Sequence, residues 1–252
     1  MSEPERPQRD RTPTTVDVRR SADRLITSQS WLDSRHSFSF GRHYDPANTH
    51  FGPLVVSNHD VVAAGAGFDR HPHRDVEIVS WVLRGALSHA DDAGNHGVIW
   101  PGLAQRISAG DGIVHSERAY GGEPVEFVQM WVLSEPAGGG PDYRQADVAA
   151  ELAAGGLVPI ASGIPGHRDL AALPIRQPHA ALHAARLADR ESVRLPAAPY
   201  LHLYVARGTV TLDGAGELAA GDAARIAGGG GSRVTATDGA EVLVWEMHRD
   251  LG

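Results

Sequence analysis

Two short pairs of residues carry most of the chemistry this chain can offer. In R-H-P-H-R-D-V-E, His71 and His73 flank a proline, and an i, i+2 pair on extended backbone points both imidazoles to one face. In H-S-E, His115 and Glu117 repeat that spacing directly after the turn-like S-A-G-D-G. Two such strands facing each other across a small barrel present three imidazoles and one carboxylate to a single ion. Nitrogen and oxygen donors without sulfur suit Fe(II), Mn, Ni, Co, Cu or Zn, and vacant coordination positions make such a site catalytic. A chain with 14 histidines supplies H-x-H by chance. The signal lies in the two pairs together, each bounded by strand and glycine-turn residues.

Composition removes the competing chemistries. The 252 residues contain no cysteine, and all 23 basic residues are arginine. Disulfides, thiolate metal sites, cysteine nucleophiles, lysine Schiff bases and the phosphate-binding lysine of a P-loop are therefore excluded. A net charge of -8 without a basic run is repelled by a phosphate backbone, so no direct nucleic-acid binding is expected. No apolar run approaches the roughly 18 residues of a membrane span, and the polar start M-S-E-P-E-R-P-Q-R-D is unlike a secretory signal. The expectation is a cytoplasmic protein without a membrane role.

The elements that must position the two pairs read as strands. Residues 1–15 are rich in Pro, Arg and Glu and are expected to form a disordered tail. From Phe51 onward short apolar runs recur between turn residues, as in V-E-I-V-S-W-V-L-R-G and V-E-F-V-Q-M-W-V-L. With 29 glycines and 16 prolines, this spacing predicts an all-β sandwich or barrel. The clearest helical stretch is Gln145 to Ala154, stopped by Gly155 and Gly156. An internal repeat follows: W-V-L-R-G-A-L at Trp81 to Leu87 parallels Y-V-A-R-G-T-V at Tyr204 to Val210, and G-L-A-Q-R-I parallels G-D-A-A-R-I. Two similar β-domains in tandem are expected: a first at 16–135, a linker region with a short helix at 136–178, and a second at 179–252.

The segments W-L-D-S-R-H-S-F-S-F, H-Y-D-P, H-P-H-R-D-V-E-I-V-S-W-V-L-R-G and S-A-G-D-G-I-V-H-S-E, in that order and spacing, resemble the pirin family of the cupin superfamily. The match is dense from Trp31 to about Glu135 and looser beyond. The resemblance implies a bicupin, two jelly-roll-type barrels with few short helices. It also implies one divalent metal, most often Fe(II), held in the first barrel by His71, His73, His115 and Glu117. Cupins in general place a glutamate a few residues after H-x-H, a pattern that Glu77 also fits. The pirin-like pattern assigns the carboxylate to Glu117 and leaves Glu77 to orient an imidazole or to pair with an arginine; spacing alone does not choose.

Aligning the repeats puts Arg194 and Pro196 where His71 and His73 lie, and Val234 and Ala236 opposite His115 and Glu117, so no metal is expected in the second barrel. The resemblance further implies quercetin 2,3-dioxygenase chemistry: O2 opens the heterocyclic ring of a flavonol such as quercetin, or a similar enol, with release of CO and with Glu117 as catalytic base. Other pirin-like proteins are redox-sensing partners of transcription factors or metabolic enzymes, which implies a protein partner instead. Arg35, His36, Arg42, His43 and Tyr44 either line the pocket mouth or pack under the barrel. Trp81, Trp100, Phe127 and Trp131 are expected in the core.

Overall fold

The computed structural model describes residues 14–251. Two barrels of the same topology are built from strands. In the first, a seven-stranded sheet runs Asp142–Asp147, Leu103–Ser108, Val76–Arg84, Val125–Leu133, Leu54–Val62, Leu32–His36, Leu25–Ser28. It faces a four-stranded sheet ordered Gly67–His73, Ile113–Ala119, Leu87–Asp91, His96–Ile99. The second barrel repeats this with Thr15–Arg19, Ala223–Ala227, Tyr200–Arg207, Ala240–Met247, Ala180–Leu187, Val158–Ser162 and Leu173–Pro174 in its large sheet. Its small sheet runs Ser192–Arg194, Arg233–Ala236, Thr209–Leu212, Gly216–Ala219.

The repeat seen as W-V-L-R-G and Y-V-A-R-G is thus a repeat of whole strands. Both Arg-Gly turns need glycine for the same reason. Gly85 and Gly208 have φ of +76° and +71°, and an added Cβ would stand 2.4 and 2.2 Å from the carbonyl oxygens of Pro124 and Gly239.

Val76–Arg84 is buried along almost its whole length, because its two faces meet different cores. Ile78 and Val82 point into the first barrel, whereas Val79, Trp81 and Leu83 join Tyr204, Leu243 and Trp245 in a core between the barrels. Burying the two tryptophans alone contributes roughly 4–6 kcal/mol each before ordering costs. Their polar edges are satisfied across the seam: Trp81 Nε1 donates to Glu241 Oε1 at 2.6 Å and Trp245 Nε1 to Met130 Sδ at 3.2 Å.

Three expectations are corrected. The tail to Thr15 lies almost wholly outside the described residues, but Thr15–Arg19 is a strand, paired with Ala223–Ala227 of the second barrel rather than opening the first. The stretch 136–178 is more than a connection, since Asp142–Asp147 closes the first large sheet and Val158–Ser162 and Leu173–Pro174 extend the second. For the same reason the helix is short. Gln145 to Asp147 pair with Leu103 to Gln105 as strand, and only Ala149–Ala153 coils, because ladder bonds at a sheet edge outweigh the weak helical preference of a few alanines. Among the described residues no helix is long and apolar enough to cross a membrane.

Candidate metal centre

The small sheet of the first barrel brings the two pairs together. Gly67–His73 and Ile113–Ala119 are antiparallel, with His115 opposite His71 and Ile113 opposite His73. The ring centroids of His71, His73 and His115 stand 4.5, 4.8 and 4.8 Å apart. One donor nitrogen from each lies within 4.8 Å of the others. Between His115 and Glu117 the register slips, so that Glu117 faces Phe68 instead of Asp69. Such a bulge re-aims a side chain. Glu117 groups within 4.8 Å with His115 and His89 rather than with His71 and His73.

The hydrogen bonds fix where the ring lone pairs point. His71 Nδ1 donates to the Asp69 carbonyl at 2.7 Å, which leaves Nε2 as the lone pair of the neutral ring. His89 Nε2 donates to Asp91 Oδ2 at 3.0 Å, which leaves His89 Nδ1 to accept from His115 Nδ1, 3.3 Å away. His115 therefore turns a lone pair at Nε2 toward His71 Nε2 at 3.1 Å. The third Nε2, on His73, is buried without a partner. Burial first, and then neighbouring imidazoles, lower His73 and His115 to about 3, so both are neutral at physiological pH. Converging lone pairs repel one another and are stabilised by a cation. A divalent metal fits this set, and these residues can hold one.

The glutamate is equally well prepared. Tyr143 donates to Gln105 Oε1 at 3.0 Å and Trp131 Nε1 to Gln129 Oε1 at 3.1 Å, which orients both amides. Their Nε2 groups donate to Glu117 Oε1 and Oε2 at 2.9 and 2.6 Å. Both oxygens accept, as in a carboxylate anion, and each keeps a second lone pair.

Glu77 is not brought to this cluster. Fully buried, it accepts from Ser134 Oγ at 2.8 Å and Ser108 Oγ at 2.6 Å, touching neither an imidazole nor an arginine. The parity linking it to His71 and His73 breaks at Asp75, whose φ is +54° between the two strands. Glu77 then shares the face of Val79 and Trp81.

A cleft of about 470 Å³ opens beside the imidazoles, with His71, Glu117 and Gln129 in its wall. Trp31, Phe40, Phe68 and Trp131 supply aromatic faces, and His36, Arg42, Asn58 and Asp60 polar ones. Trp81 and Phe127 are core as expected, but Trp131 packs edge-on to His73 at 4.7 Å and Trp100 is half exposed. Of the earlier loop residues, His36 and Arg42 reach the cleft and Tyr44 lies in solvent. His89, Gln105, Gln129 and Tyr143 carried no signal in the sequence beyond ordinary strand residues.

Asp60 is buried with Oδ1 unpartnered, and that burial raises its carboxyl to about 7. A carboxyl raised in the fold favours the folded state most below its ordinary value and loses that contribution as pH rises through 7. On the order of 4 kcal/mol of stability is expected to disappear between pH 4 and 8. Urea unfolding of wild type and Asp60→Asn across this range checks it; parallel pH profiles for the two would refute it.

Two like barrels, one with a histidine-lined cleft, make this chain a bicupin. Residues 16–132 match the pirin family model and residues 160–247 the quercetinase C-terminal cupin domain. A protein of Mycobacterium tuberculosis (strain ATCC 25618 / H37Rv) named "putative quercetin 2,3-dioxygenase" is 57% identical over 239 residues, 94% of this chain and 97% of its own. The quercetin 2,3-dioxygenase of Escherichia coli (strain K12) is 37% identical over 199 residues, 78% of this chain and 84% of its own. The bacterial pirin YhhW of Escherichia coli in complex with nickel(II) superposes with a TM-score of 0.84 at 33% identity, covering 93% of this chain and 100% of that one. The chain belongs to the pirin family.

Proposed function

We propose that this protein is a metal-dependent dioxygenase that opens the heterocyclic ring of a flavonol such as quercetin with O2 and releases CO. The observation that carries this reading is the convergence of three imidazoles beside an aromatic-lined cleft whose wall includes His71 and Glu117. The names of its relatives support the same chemistry.

His71, His73, His115 and Glu117 are the proposed ligands and Fe(II) the proposed ion. When bound, the ion would lower the pKa of a coordinated enol and render its anion electron-rich toward O2. Three neutral imidazoles and one carboxylate leave a dication with net charge +1, which favours an enolate over the neutral flavonol. Glu117 is the proposed base: its Oε2, held by Gln129 on the cleft side, has a lone pair for the substrate hydroxyl proton. Trp131 and Phe40, 5.6 Å apart and near perpendicular, form a corner for a flat ring and exclude water from the reacting edge. The cleft's concave apolar walls favour a small planar ligand over the redox-sensing, partner-binding alternative.

The test is turnover. Protein loaded with Fe(II) is expected to consume quercetin under air with stoichiometric CO and to stop under argon. Failure to turn over any flavonol with Fe, Mn, Ni, Co or Cu would remove this reading. Pull-down of one cellular partner, sensitive to iron oxidation, would then favour the regulator.

A further inference from the structure

The second barrel holds donors of its own. We propose that His167, His183 and Glu246 form a second divalent-cation site, of the zinc, cobalt and nickel class, at the mouth of that barrel. Its donor set is two imidazoles and one carboxylate, and none of the three residues occupies a repeat-equivalent position. Arg194 and Val234, which do, lie on paired strands without donors.

Ladder register places the cluster. The pairs Arg84 with Glu126 and Arg207 with Glu241 align the two large sheets. Counting from them, Glu246 corresponds to Trp131 and His183 to Asn58. Both first-barrel residues line the cleft. His183 and Glu246 share the face of Ala185, Leu187, Val242 and Val244, which fill the second barrel.

Donor atoms of His167, His183 and Glu246 lie within 4.8 Å of one another. Glu246 is buried between two rings, with Oε2 2.8 Å from His183 Nε2 and Oε1 2.7 Å from His248 Nε2. Burial would raise its carboxyl, but hydrogen bonds from His183 and His248 outweigh that and hold it at about 2. His167 sits on the single turn Pro165–His167, its Nδ1 3.3 Å from Ser162 Oγ, which leaves Nε2 as its free nitrogen.

Donors around a tetrahedral ion with bonds near 2.0 Å stand about 3.3 Å apart, so parting His183 Nε2 from Glu246 Oε2 by about half an ångström, with His167 drawn in, seats one. Partly exposed His167 gives the ion a way in. Imidazole and carboxylate without sulfur match the borderline cations. Three protein donors leave the fourth position to water, and the ion ties the Pro165–His167 turn to the strands Ala180–Leu187 and Ala240–Met247.

Cobalt(II) titration of the chelator-stripped full chain, read by visible absorption, tests this. Wild type is expected to take two equivalents and the His71→Ala/His115→Ala variant one. Adding His167→Gln, which removes the Ser162 contact and the edge-on packing on His183, is expected to weaken the remaining equivalent at least tenfold. Zinc should raise the Tm of the double variant and not of the triple. One equivalent in wild type, unchanged by His167→Gln alone, would overturn the second site while leaving the first intact. Two equivalents that survive His167→Gln at full strength would overturn this ligand set.

Discussion

His115→Ala is expected to bind its metal roughly 10²- to 10³-fold more weakly than wild type and to lose flavonol turnover in proportion. Binding free energies of four-donor sites of this kind run to about 10–16 kcal/mol, about 3 kcal/mol per donor. His115 is the donor with most to lose, because it bridges His71 on one side and His89 on the other. Glu117→Gln is expected to fall similarly. It exchanges an anion for an amide whose NH2 would face the donors of Gln105 or Gln129.

Glu77→Gln is the informative contrast. It loses one of two serine hydrogen bonds in a buried place, at a cost of about 1–3 kcal/mol in stability, and is expected to keep the metal. Competition with a chromogenic chelator, beside urea midpoints, separates the two effects. Wild-type affinity in His115→Ala, or metal loss in Glu77→Gln with stability unchanged, would contradict the assignment.

The difference between these glutamates shows where a sequence stops being readable. His71, Pro72 and His73 continue one strand, so period-two reasoning holds and the rings do share a face. The same reasoning fails for Glu77 because a left-handed residue, Asp75, intervenes, and nothing in H-P-H-R-D-V-E announces it. The bulge opposite Glu117 was equally silent, since it depends on the length of Gly67–His73 relative to its partner.

Fold class was legible because glycine turns and apolar runs are local signals. Strand Thr15–Arg19 was not, since its partner lies about 200 residues away and its residues alternate too weakly to stand apart from a polar start. Neither was the role of His89. In L-S-H-A-D it resembles an ordinary strand histidine, and only the pairing of Glu117 with His89 and of His115 with Asp91 brings it behind the proposed ligand His115.

That position makes Asp91 the second large lever. Its Oδ1 accepts the Asn95 backbone N–H at 2.9 Å, and Oδ2 accepts both His89 Nε2 at 3.0 Å and Asn95 Nδ2 at 2.9 Å. In Asp91→Asn, with the carbonyl oxygen on the Asn95 backbone N–H and the Asn95 amide turned to offer its oxygen, the new amide nitrogen faces His89 and donates to it. His89 must then carry its proton on Nδ1, and two N–H groups cannot face each other across 3.3 Å. His115 is forced into the other tautomer, with a proton on the Nε2 that faces His71. One atom exchanged at Asp91 thereby blocks a metal donor two residues down the relay.

Changes behind metal ligands typically cost 10- to 100-fold in affinity, about 1.4–2.7 kcal/mol, and that loss is expected here. Because the donors themselves remain, excess metal should restore turnover, which His115→Ala should not allow. His89→Phe, which retains the stack on Tyr143 at 4.5 Å, should weaken binding to a similar degree by leaving the His115 tautomer unfixed. Unchanged metal affinity in both variants would mean that the Asp91–His89 relay packs beside the centre without governing it.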